Sequence, residues 1–141
     1  MSLPLLVYVL TALAAVVVVL TRIRLGGGKA GAGRLQISSA LLNTHTVVGL
    51  AAVMTWTVFL VTGIGEGTGN AIIGICGLAL FWITTVAGLM ILVRWMPSRG
   101  KHSSEAVLDS WSEGPGLSVL AHVGMLVGVS VFTWAYLVSA V

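Results

Sequence analysis

Residues 71–93 read AIIGICGLALFWITTVAGLMILV, and this stretch decides the fold. It holds no acidic or basic side chain from end to end. At about 1.5 Å rise per residue, a helix of this length is about 35 Å long. That exceeds the roughly 30 Å hydrocarbon core of a bilayer. Three further apolar runs flank it. One begins LPLLVYVLTALAAVVVVL at Leu3, one opens at Ser39, and one continues from Leu117 to the C-terminus. The spans are expected at about 3–21, 39–62, 71–94 and 116–138. Start signals agree: Ser2 before Pro4, Ser38 and Ser39, Asn70, and Gly114-Pro115. The Val16–Val19 run would read as strand in water. In lipid a segment must satisfy its own backbone, which favours helix, and the alternation a β-barrel needs is absent.

Composition agrees with that reading. Hydrophobic residues make up 57% of the chain and charged residues 8%, with a mean hydropathy of +1.07. A soluble domain carries about 25% charged residues. The expected fold class is therefore an all-α membrane protein, a four-transmembrane-helix bundle with short loops forming a single domain over residues 1–141. Its first partner is the lipid bilayer. The net charge of +3 is concentrated in loops and gives no sign of nucleic acid. A single cysteine, Cys76, excludes an internal disulfide framework.

The basic residues orient the bundle. Arg22, Arg24, Lys29 and Arg34 lie between the first two spans, and Arg94, Arg99 and Lys101 follow the third. Positive loops stay in the cytoplasm, so both termini are expected outside. Trp95 and Trp111 fall near the expected inner boundary, with Trp134 and Tyr136 near the outer one. The basic residues follow the first span instead of preceding it, which is the wrong polarity for a cleaved signal peptide. A multi-pass protein of a bacterial inner membrane fits the Gly, Ala and Val richness and the lack of targeting signals.

Two ionisable residues break the apolar runs. His45 stands six residues past Ser39 and His122 seven past Pro115. Spans two and four start at the same face, so each imidazole is expected about 10 Å inside its helix. Intramembrane ionisable residues are costly and mark functional sites by default. Two neutral imidazoles at one depth suit the two axial positions of a haem, whose apolar ring suits the interior of a membrane bundle. Haem b is thus the expected cofactor, with His45 and His122 as metal ligands. Its propionates would face the inner interface, toward Arg34 and Arg94, with Arg99 and Lys101 nearby.

Neighbouring positions favour this arrangement. His45, Gly49, Ala52 and Trp56 share one face of span two; Ser118, His122, Met125, Val129, Thr133 and Tyr136 share one of span four. Nearly opposite that second stripe, Ala121 and Gly124-x-x-x-Gly128 offer a close-packing face for a neighbouring helix. Two plainer readings compete with haem. The histidines could hydrogen-bond across helices, with Asn43, Thr44, Thr46 and Ser118 near in sequence, or serve a proton relay.

The remaining features carry less. Gly26-Gly27-Gly28-Lys29 lacks the Ser or Thr of a phosphate loop and reads as a linker. Gly63, Gly65, Gly67 and Gly69 read as an outer turn around Glu66, and His102 as a solvated loop residue. Residues 103–111 suit a short interfacial helix with Val107, Leu108 and Trp111 on one side. Cys76 reads as a small apolar residue, and Trp56 and Trp82 as deep aromatics that pack or flank a cofactor. No Asp or Glu lies within a span, which disfavours carboxylate-driven exchange.

By helix number and histidine placement the chain resembles small membrane b-type cytochromes and the membrane anchors of quinone-linked dehydrogenases. The resemblance implies electron transfer between quinone and a partner redox subunit, in the membrane or the cytoplasm. The alternatives are a non-catalytic accessory subunit of a larger membrane respiratory complex, or a small transporter. A stand-alone enzyme is the weaker expectation.

Overall fold

The computed structural model describes residues 2–25, 37–62, 67–95 and 116–141. They form four helices, α1 (Leu3–Leu25), α2 (Ser39–Thr62), α3 (Gly67–Trp95) and α4 (Gly116–Leu137). All four are long and apolar enough to cross a membrane. Their buried positions explain how they associate. On α1 these are Val7, Thr11, Ala14, Val18, Thr21 and Leu25; on α2 they include Leu42, His45, Gly49, Ala52, Trp56 and Phe59. The steps alternate between three and four residues, which keeps one stripe of each helix turned inward along its length. The outward faces are apolar as well. Leu13, Ile23, Val47, Met54, Val61, Leu120 and Leu137 are each more than half exposed. Such an exterior matches a hydrocarbon solvent and would be an aggregation liability in water.

Contacts between helix ends set the topology. Tyr8 near the start of α1 donates its hydroxyl to the Leu60 carbonyl near the end of α2, at 3.2 Å. At the opposite end, Arg22 donates to the Asn43 side-chain oxygen at 2.7 Å. Tyr136 of α4 donates to the Ala71 carbonyl of α3 at 2.9 Å. Neighbouring helices are therefore antiparallel, and both chain termini lie at the Tyr8–Tyr136 end. Helices α2 and α3 pack most extensively; α1 touches α2 and α4, and α4 also touches α3. That leaves α2 and α4 as one diagonal of the bundle and α1 and α3 as the other.

The core divides into two halves. Toward the Tyr136 end it is a block of rings, with Trp56 stacked on Phe132 at 5.3 Å and Phe59 and Phe81 beside them. Around the histidines many inward residues are small, with Val18 and Thr21 on α1, Gly49 on α2, Thr84 and Gly88 on α3, and beyond them Leu25, Leu42 and Ile91 form a second apolar cluster at the Arg22 end. Gly49 serves close packing, since a methyl group there would lie 2.8 Å from the Val18 side chain. Both histidines sit in this second half.

Several boundaries differ from the sequence expectation. Helix α3 begins at Gly67, so Gly67 and Gly69 belong to the helix and not to the turn. Asn70 does not open the helix; its side-chain oxygen lies 3.2 Å from the Thr62 hydroxyl. Ser38 does cap α2, accepting the Leu41 amide at 3.2 Å. Trp82 is 39% exposed and donates to Thr133 at 3.2 Å, so it is a surface residue of the bundle. Cys76 is exposed on the same apolar surface. The Gly26–Gly28 linker, Gly63, Gly65, Gly114-Pro115, His102, Trp111 and the 103–111 segment lie outside the described residues.

Candidate metal centre

The two histidines meet in the interior. Their ring centres are 6.1 Å apart with planes inclined by 41°. His45 is 2% exposed and His122 8%. Helices α2 and α4 lie on a diagonal of the bundle, and the side chains alone close the gap between them. Diagonal placement suits two rings that point at each other, because neighbouring helices would crowd the space between them.

Helix α3 supplies the third wall. A methyl group on Gly88 would lie 2.8 Å from His122 Cδ2, 3.3 Å from His45 Nε2 and 3.4 Å from His122 Nε2. Both rings therefore pack directly against the α3 backbone at Gly88, with no room there for a methyl group. The opposite edges of the rings differ in their surroundings. His122 Nδ1 is 2.8 Å from the Ser118 carbonyl oxygen one turn earlier. A carbonyl only accepts, so Nδ1 carries the proton and Nε2 presents its lone pair inward. His45 Nδ1 is buried with no hydrogen-bond partner among the described residues.

This donor set discriminates between metals. Among the described residues no third His, Cys, Asp or Glu joins the pair to make a group of three. Zinc sites take three or four protein ligands, and the described residues supply two imidazoles here. Iron in a porphyrin brings four ring nitrogens of its own and asks the protein for one or two axial ligands. Two imidazoles gripping one metal from opposite sides, each nitrogen about 2 Å away, have ring centres about 6 Å apart. The ring separation of 6.1 Å meets that requirement, but the α3 backbone at Gly88 lies against both Nε2 atoms, where the porphyrin plane would have to pass.

The other expected participants are placed unevenly. Arg94 is half-buried in the last turn of α3, six residues beyond Gly88, or about 9 Å along the axis. Arg34, Arg99 and Lys101 lie outside the described residues. Asn43 is engaged with Arg22 and Thr46 with the Leu42 carbonyl, so neither partners a histidine through those bonds. Gly88 was not singled out by sequence, since nothing local marks it among 18 glycines. A lateral groove of about 140 Å³ between α1 and α4 also escaped the sequence. Its walls include Val17, Leu20 and Leu117, and it reaches Thr21, Ser118 and His122.

Comparison with protein families, with curated proteins and with solved structures finds no match to this chain.

Proposed function

We propose that this chain is an integral membrane b-type haem protein that passes electrons between quinone and a partner redox subunit. The observation that supports the reading is the meeting of two buried imidazoles, His45 and His122, with ring centres 6.1 Å apart. Were haem bound there it would supply one-electron chemistry, and α3 would have to move away from the two rings to admit it. The rest is the work of the chain's own residues. His45 and His122 would hold its iron, and the Ser118 carbonyl, accepting from His122 Nδ1, fixes the tautomer of that ring. The aromatic block of Trp56, Phe81 and Phe132 closes the interior toward one end and keeps water from the pair. Arg94, with Arg34 from the preceding loop, is assigned to the propionates at the other end.

Two further features support the electron-transfer part. All seven basic residues lie at or beyond the helix ends near the histidines, which by the positive-inside rule makes that end cytoplasmic and both termini external. The groove between α1 and α4 offers a lipid-soluble quinone a sideways approach to His122. The membrane is taken to be a bacterial inner membrane.

The test is an absorbance spectrum of the detergent-purified protein after expression with adequate haem supply. A Soret band with sharp reduced bands after dithionite is expected, together with about one haem per chain. A protein that is folded and helical yet has no Soret band, oxidised or reduced, removes the proposal.

A second reading is favoured by one observation on α4. Gly124 is exposed, and a methyl group on Gly124 or Gly128 would meet nothing within 4 Å. Among the described residues Gly124 is thus uncovered while Gly128 is buried, and a helix of another subunit suits the exposed part of that face. An accessory subunit would co-purify with stoichiometric partners in mild detergent and carry no cofactor of its own.

A further inference from the structure

Thr21 differs from Thr11 and Thr84, which are similarly buried. Those two donate to the backbone carbonyl four residues earlier, at 2.8 and 2.9 Å. Thr21 is 8% exposed, makes no such bond among the described residues, and lines the groove between α1 and α4. Ser118 and the buried His122 line the same groove from α4. Its other walls are apolar, and Leu20, Ile23 and Leu117 are exposed on the outer surface. The groove therefore opens sideways onto lipid. An unmatched hydroxyl is costly in hydrocarbon, so Thr21 calls for an occupant that brings an accepting oxygen. The volume of about 140 Å³ limits what can enter. A cavity of about 150 Å³ holds a single benzene ring.

We propose that this groove binds a lipid-soluble molecule whose single-ring head bears a carbonyl, the chemistry of a benzoquinone, through a hydrogen bond from Thr21. The ring fills the volume, the carbonyl faces Thr21, and the tail leaves past Leu20 and Leu117 into the bilayer. A plain acyl chain suits the apolar walls but offers Thr21 no acceptor. The site rests on the quinone part of the function proposed above, and involves neither haem nor the packing of the histidines on α3.

The experiment titrates radiolabelled decyl-ubiquinone into the full-length protein in dodecyl maltoside at fixed detergent, and counts bound ligand. Saturable binding of about one molecule per chain is expected, without displacement by an equal concentration of phospholipid. Decylbenzene has a six-membered ring and the same tail but no oxygen, and should compete at least about fivefold more weakly. Thr21→Val keeps the side-chain shape and removes the hydroxyl. It should weaken binding about 5- to 10-fold, the loss of one net hydrogen bond. Ala121→Phe should abolish binding by filling the groove, with helix content of both variants checked by circular dichroism. No saturable binding, equal competition by decylbenzene, displacement by phospholipid, or unchanged affinity in Thr21→Val overturns the proposal. If neither variant folds, the decylbenzene comparison on the unaltered protein decides. Saturable binding to a protein with no Soret band removes the haem reading and leaves this site standing, so the two fail separately.

Discussion

Gly88 and the two rings it faces carry the chemistry assigned to this bundle. A methyl group at that position would lie 2.8 Å from His122 Cδ2, too close unless the ring turns, and turning it breaks the Ser118 contact. Gly88→Val should therefore cut haem content at least about tenfold, in line with the cost of disturbing a ligand's orientation. The check is haem per protein from the pyridine haemochrome spectrum, with unchanged helix content; full retention would show that the close contact with α3 is unimportant. His45 and His122 were legible in sequence because a titratable group inside an apolar run has no cheap explanation. Gly88 was not, because its value comes from two side chains on other helices. Arg22 illustrates a weaker contact. Its hydrogen bond to Asn43 is exposed, so Arg22→Ala should change stability by less than about 1 kcal/mol, measured by thermal unfolding in detergent.

Each helix behaves as its apolar length requires, but its ends and faces answer to neighbours. The start of α2 follows local chemistry: Ser38 accepts the Leu41 amide, and Ser38→Ala should cost about 1 kcal/mol. The start of α3 does not follow it, since Asn70 turns its side chain to Thr62 and the helix extends back to Gly67. Trp56 and Trp82 looked equivalent in sequence and are not. Trp56 is fully buried among Phe59, Phe81 and Phe132, whereas Trp82 is 39% exposed. Trp56→Ala should destabilise by about 3–5 kcal/mol through the cavity it leaves. Trp82→Ala loses one hydrogen bond, worth about 1 kcal/mol, and the packing of a part-covered ring, and leaves no enclosed cavity. Unfolding in mixed micelles should rank the two variants in that order, and equal effects would contradict the two-part core.

For the molecule as a whole, charge asymmetry predicts a single orientation. With Cys76→Ser to remove the native thiol, Glu66→Cys should react with a membrane-impermeant maleimide in intact cells, and Lys29→Cys only after lysis. Labelling of position 29 from outside would invert the topology and move the histidine pair to the outer leaflet. In that proposed orientation the groove between α1 and α4, beside His122 and Thr21, would lie toward the cytoplasmic face.

Helix number, approximate spans, the clustering of basic residues at one end and the oddity of two buried imidazoles were all set by the order of residues. These are local properties: a helix closes its hydrogen bonds four residues away, and hydropathy is read one segment at a time. Tertiary packing alone decided that α2 and α4 face each other diagonally, that both rings pack against Gly88, and that Gly124 remains uncovered. Those outcomes depend on which stripe of each helix meets which partner, a pairing between positions tens of residues apart. In a chain apolar on nearly every face, hydrophobic periodicity is too weak to announce it.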